Sequence, residues 1–158
     1  MDIRSKVGVV IIDDQDNILL LKEKIKKKGV PLWNTVKGTY GDNGDENIFE
    51  AAVRECLEET STDVELTNSL GCYISKKEDK LRIQFNFLAK IKNGEPKLPR
   101  ANDQQSRDEA ISELKWFTED EILKMNSDEF MSNRTHKLLT DYISGTKFPL
   151  EAYKQVSM

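Results

Sequence analysis

The stretch from Gly38 to Thr62, GTYGDNGDENIFEAAVRECLEETST, constrains this chain more than any other. Its densest part is Arg54-Glu55-Cys56-Leu57-Glu58-Glu59, with Glu46 eight residues before the arginine. A helix turning about 100° per residue stacks Glu55, Glu58 and Glu59 on one face. Phe49, Ala52, Val53 and Cys56 fall on an apolar face roughly 120° away. The spacing therefore predicts a helix anchored to a core on one side and presenting carboxylates on another. Carboxylates at i, i+4 repel one another by a few tenths of a kcal/mol. A hard divalent cation, Mg²⁺ or Mn²⁺, is the natural partner for such oxygen ligands. A solvated acidic face is the plain alternative. It fails on register: Glu46, Arg54, Glu55, Glu58 and Glu59 at these offsets arise by chance on the order of once in a few thousand such sequences.

The remainder reads as one domain over residues 1–158. A net charge of −4 gives no general attraction to nucleic acid or to anionic membranes. The longest apolar run, Val7 to Ile12, is far too short to span a bilayer, and MDIRSKVG does not read as a signal peptide. Cys56 and Cys72 are expected as reduced core residues, which suits a cytoplasmic protein. Lys6–Ile12 and Ile18–Lys22 predict a hairpin turning at Asp13–Asn17, followed by a basic loop, Lys24–Gly29, as a candidate phosphate-attracting rim. Pro31–Val36 predicts one short strand, and Gly38, Gly41 and Gly44 then imply unusual backbone conformations or close ligand approach. Asp63–Ser75 and Leu81–Ile91 predict two strands, the second alternating Ile83, Phe85 and Phe87 against Arg82, Gln84 and Asn86. A polar loop (93–107), a strand (Ile111–Phe117), a short helix opened by a Thr118–Glu121 capping box and a final helix capped by Ser127 complete the chain. Together these elements predict an α/β fold, a mixed sheet between helices.

Glu46, seven residues and Arg54-Glu55-Cys56-Leu57-Glu58-Glu59 resemble the signature of the Nudix hydrolases, MutT-like pyrophosphohydrolases. The surroundings are similar too: an N-terminal hairpin, a strand carrying Trp33, and Glu113-Leu114-Lys115-Trp116-Phe117 before a short helix. The chain departs from that pattern in places. Seven residues rather than five separate Gly38 from Glu46, Val36-Lys37-Gly38 replaces Pro-Gly-Gly, and Ser61-Thr62 replaces glycine and an aliphatic residue. A glycine there usually supports a helix C-terminal turn, and serine can stand in at modest cost if its φ stays negative.

The resemblance implies a Nudix-type α/β/α sandwich and hydrolysis of a nucleoside diphosphate linked to another moiety, X, by water attack on phosphorus. It assigns Glu55, Glu58, Glu59 and the Gly38 carbonyl to Mg²⁺ or Mn²⁺. Glu55 is alternatively the general base. Arg54 holds the carboxylates in place, or else pairs with Glu50 on the surface; Glu46 is expected at the helix N-terminus with a structural role. A later acid often serves as base or ligand in this family, and Glu109, ahead of Asp108 and Glu113, is the candidate here. Trp33 and Trp116 are expected as core aromatics rather than base-stacking platforms, and Lys37 as either a phosphate contact or a solvated side chain. The expected partner is a small nucleotide-type substrate, with no nucleic acid and no membrane; the resemblance also allows for a homodimer. The alternative class is a Nudix-fold module that binds or senses a nucleotide without turning it over.

Overall fold

The β-branched run Val7–Ile12 is the centre of β1, which extends from Asp2 to Ile12. Asp13 then turns the chain, its Oδ1 accepting from the N–H groups of Gln15 and Asn17 at 2.9 Å each. β2 (Ile18–Glu23) returns alongside β1. The computed structural model describes residues 1–24 and 29–158, so most of the basic Lys24–Gly29 loop lies outside the described residues. Pro31–Val36 is not one strand. β3 (Leu32–Asn34) pairs with β2 and β4 (Val36–Tyr40) pairs with β1, so the chain changes partner at Thr35.

α1 (Ile48–Thr60) opens with a capping box in which Asn47 Oδ1 accepts from Glu50 N at 2.8 Å and Glu50 Oε1 accepts from Asn47 N at 3.1 Å. Glu46 therefore precedes the cap and lies outside the helix. β5 (Asp63–Lys77) and β6 (Lys80–Asn93) form a long hairpin, tighter than the sequence suggested because Glu78 takes φ 53° in the turn. The polar stretch after β6 contains a short helix, α2 (Ala101–Ser106). β7 (Ile111–Phe117) pairs with β2, and the Thr118–Glu121 capping box opens α3 (Glu119–Leu123). Ser127 is not a cap: it is the first residue of a 3-10 turn (Ser127–Glu129) whose N-cap is Asn126. The last helix, α4 (Asn133–Ile143), starts at Ser132, whose hydroxyl accepts from Thr135 N. Phe130 is therefore buried ahead of that helix rather than within it.

The described strands form a single mixed sheet in the order β3-β2-β1-β6-β5-β8, where β8 is Phe148–Pro149; β4 joins at β1 and β7 at β2. β1 and β6 run parallel from Asp2↔Lys80 to Ile12↔Lys90. Alternation along β1 sends Val7, Val9 and Ile11 to one face, where they pack with Ile48, Ala51, Ala52 and Cys56 of α1 and with Phe87. Val10 and Ile12 point the other way, onto Leu88, Ile122 of α3, and Leu138 and Leu139 of α4. The result is the α/β/α sandwich. Each fully buried aliphatic side chain contributes about 1.5–3 kcal/mol. Among the described residues, no helix is long and apolar enough to cross a membrane.

Several details correct the sequence reading. The buried stripe of α1 is Ile48, Ala51, Ala52 and Cys56, with Phe49 and Val53 half-buried at its margin. Cys72 is exposed, on β5 near the sheet edge; only Cys56 is buried. Gln84 and Asn86, the polar side of the alternation in β6, are fully buried, because both faces of the central sheet are covered. The chain end contributes an unforeseen anchor: the Tyr153 hydroxyl donates to Gly71 O at 2.6 Å, while its ring packs edge-on against Phe85 and Phe87.

Candidate active site

The acidic face of α1 does not project into solvent. Glu55 and Glu59 are 7% and 3% exposed, covered where α1 packs against β4, whereas Glu58 stays half-exposed. Gly38, in β4, is what admits Glu55. A Cβ at position 38 would lie 1.8 Å from Glu55 Cδ and 2.0 Å from its Oε1. Glu59 faces the neighbouring peptide, its Oε1 accepting a long 3.4 Å bond from Lys37 N.

Arg54 organises the remaining carboxylates. Its Nε donates to Glu46 Oε2 at 2.7 Å and its Nη2 to Glu46 Oε1 at 3.1 Å, a bidentate pair. Its Nη1 donates to Glu55 Oε1 at 2.9 Å and reaches Glu58 Oε1 at 3.3 Å. These contacts replace the alternative Glu50–Arg54 pair, since Glu50 is engaged in the capping box. A second arginine, Arg107, ties the later loop to the helix. Its Nη2 donates to Glu58 O at 3.0 Å and its Nε to Glu109 Oε1 at 2.8 Å. No motif pointed to Arg107; its position follows from the turn after α2, where Gln104 Oε1 accepts from Ile111 N at 2.7 Å. Asp108 and Glu113, the other acids weighed with Glu109, are exposed.

Electrostatics follow from this burial. Desolvation, opposed by Arg54 and reinforced by Glu58 and Glu109, pushes the Glu55 carboxyl up to about 7. Glu59 is pushed well above the ordinary range, first by burial and then by the charges of Glu23, Glu55 and Glu109. Burial, with Arg134 and Lys6 nearby, brings Lys37 down to about 8. Ser61, at the C-cap of α1, has φ 61° and so occupies the left-handed conformation, which does not meet the condition of a negative angle under which serine replaces glycine cheaply. Its hydroxyl donates to Lys97 O at 3.1 Å.

The expected aromatic roles can be placed as well. Trp33 stacks edge-on against Phe117 with ring centroids 4.8 Å apart, and Lys22 lies over it at 5.3 Å. Trp116 is half-buried against the core beneath α1. Both are packing positions.

The donor chemistry fits a hard divalent cation. The Gly38 carbonyl and the three glutamates are all oxygen donors, and two buried acids that resist ionisation would be relieved by a nearby positive charge. Among the described residues, no three acidic, histidine or cysteine side chains already stand at metal-binding spacing. Arg54 accounts for part of this, because its guanidinium draws Glu55 and Glu58 to itself.

Comparison with known proteins agrees with this architecture. A putative 8-oxo-dGTP diphosphatase of Bacillus subtilis is 38% identical over 81 residues, which is 51% of this chain and 50% of that protein. The chain thus spans about half the length of that relative. Phosphatase NudJ of Shigella boydii is 27% identical over 142 residues, 89% of this chain and 84% of its own. In fold, a NUDIX hydrolase from Nitrosomonas europaea superposes with a TM-score of 0.77 at 23% identity, covering 97% of each chain. The MutT protein from Methanosarcina mazei superposes with a TM-score of 0.67 at 19% identity, covering 90% of this chain and 94% of its own. The family model for the NUDIX domain matches residues 2–138, most of the chain including the whole carboxylate helix, and the protein belongs to the Nudix family.

Proposed function

We propose that residues 1–158 form a single divalent-metal-dependent pyrophosphohydrolase domain, cleaving a nucleoside diphosphate linked to another moiety by water attack on phosphorus. The observation that carries this reading is the pair of buried acids, Glu55 and Glu59, set on one helix face against a glycine that leaves room for one of them. Buried carboxylates cost stability unless they are compensated. Selection for folding alone would not favour them, whereas holding a cation beside a polyphosphate requires them. The relatives named as a diphosphatase and a phosphatase support the same reaction class.

In this reading Glu55, Glu58, Glu59 and the Gly38 carbonyl hold Mg²⁺ or Mn²⁺. The ion supplies neutralisation of phosphate charge and a more acidic water. The chain's own residues do the rest. Arg54, anchored bidentately by Glu46, fixes the direction of Glu55 and Glu58 and keeps their mutual repulsion from spreading the face. Two groups are candidates to take the proton of the attacking water. Glu55 is poised near neutrality, and Glu109 is brought to the helix by Arg107. Arg107 itself is a positioning residue. A cytoplasmic setting belongs to the same proposal, supported by two free thiols.

The test is phosphate release from nucleoside triphosphates, nucleotide sugars and dinucleotides, with Mg²⁺ or Mn²⁺, with and without added inorganic pyrophosphatase. Metal-dependent turnover that falls at least about 100-fold in Glu58→Gln/Glu59→Gln is expected. Tight binding of one nucleotide without turnover of any would replace the enzyme with a non-catalytic binding module.

A further inference from the structure

The sequence holds two Asn-Gly steps, Asn43-Gly44 and Asn93-Gly94, and the carboxylate site uses neither. An asparagine before glycine is open to attack on its side-chain amide by the next backbone nitrogen, because glycine brings no Cβ to keep the two apart. Both asparagines are exposed, so sequence and solvent access alone give them the same reactivity. Their surroundings differ. Asn93 is the last residue of β6, paired with Asp63 of β5, and among the described residues no arginine donates to its side chain. Asn43 lies between β4 and α1, in the spacer that is longer than the Nudix pattern, and there it meets Arg54.

A β-turn carries Asn43 to that position. Glu46 N donates to Asn43 O at 3.1 Å, and Gly44 takes φ 55° at the first central position, where I′ and II′ turns need a positive angle. The turn is closed by the N–H of Glu46, which leaves that of Gly44 outside its hydrogen bond. With its oxygen toward the guanidinium, the orientation in which donor meets acceptor, Asn43 Oδ1 accepts from Arg54 Nε at 3.0 Å and from Nη2 at 3.2 Å. The same two nitrogens hold Glu46, at 2.7 and 3.1 Å. A guanidinium bonded to an amide oxygen polarises the carbonyl and stabilises the negative charge that forms on Oδ1 when a nucleophile adds to Cγ.

We propose that Asn43-Gly44 is a self-modification site, at which Arg54 promotes deamidation of Asn43. The Gly44 backbone nitrogen gives its proton to hydroxide from solvent and forms a bond to Asn43 Cγ. Charge passes to Oδ1, under the guanidinium. Its return breaks the Cγ–Nδ2 bond, and the nitrogen leaves as ammonia with a proton taken from water. A further water opens the cyclic imide, leaving aspartate or isoaspartate at position 43. Either product sets a carboxylate against the Nε and Nη2 that hold Glu46, so the modified chain carries a competitor for the arginine that aligns Glu55 and Glu58.

The experiment incubates the metal-free full chain at mildly alkaline pH, folded or in concentrated urea, and follows the two asparagines separately by mass spectrometry of tryptic peptides. Cleavage after basic residues leaves Asn43 in the peptide 38–54 and Asn93 in 93–97. In the folded chain Asn43 is expected to convert at least about fivefold faster than Asn93. In urea, where nothing holds Arg54 against the loop, the two rates should agree within about twofold. Arg54→Gln, checked for folding by circular dichroism, should lose the difference. Asn43→Gln, whose longer side chain disfavours ring closure, should stay intact at that position. Equal rates in the folded chain, a difference that persists in urea, or one that survives in folded Arg54→Gln would overturn the proposal. If Arg54→Gln does not fold, the comparison of folded with urea-unfolded parent chain decides.

Discussion

Gly38→Ala isolates the close approach on which the carboxylate site depends. The φ of Gly38 is not positive, so alanine meets no backbone penalty and its effect is steric. The new methyl would stand 1.8 Å from Glu55 Cδ, so the carboxyl must retreat by roughly 2 Å to reach ordinary contact. Glu55 has little room to do so, being 7% exposed and held by Arg54 at 2.9 Å. Overpacking of this kind costs about 1–3 kcal/mol. For a chain of 158 residues that lowers Tm by roughly 3–9 °C. Thermal unfolding followed by circular dichroism measures the shift, and a Glu55→Ala background supplies the control. With the carboxyl removed, the cost of Gly38→Ala should fall to within about 0.5 kcal/mol of zero, since the two positions interact directly. A Tm within about 1 °C of the parent, or an equal cost in both backgrounds, would refute the assigned contact.

Three other outcomes follow from the same geometry. Glu55 is raised to about 7 in the folded chain from 4.5, so its protonated form stabilises the fold below pH 4.5, and that contribution is lost as pH rises through 7. Metal-free protein should lose about 3 kcal/mol between pH 4.5 and 8 in urea titrations, with Mg²⁺ restoring part of it at pH 8; stability that rises over this range would contradict the assignment. Ser61→Gly relieves a left-handed serine and should raise Tm by roughly 1–4 °C, despite losing the bond to Lys97 O. Tyr153→Phe keeps the ring packing but removes the hydroxyl that serves Gly71 and Asn86, and should cost about 1–2 kcal/mol by urea unfolding.

The sequence by itself determined the parts whose information is local. The β-branched run before Asp13, the Thr118–Glu121 box and the Arg54–Glu59 register each carry their signal within a few residues, so β1, α3 and the carboxylate helix were legible. So was the membership of Glu55, Glu58 and Glu59 in one cluster, because helical periodicity alone brings them together. Local pattern misled where partners are distant. Pro31–Val36 reads as one strand because nothing in it reveals that Thr35 is where the chain exchanges β2 for β1. Gln84 and Asn86 alternate with the apolar residues of β6 as a polar stripe, yet they are buried on the side of the sheet occupied by α4, where Gln84 Nε2 donates to Asn86 Oδ1.

Only the tertiary structure decided the environment of the site. Whether a glutamate is solvated or driven toward neutrality depends on what lies across from it. For Glu55 that is Gly38, 17 positions away in sequence. The placement of Lys37 has the same origin: sheet register sets it opposite Gly8 of β1, far from it in sequence. Charge interacts through space with a strength set by distance and burial, and neither quantity exists until the chain has folded.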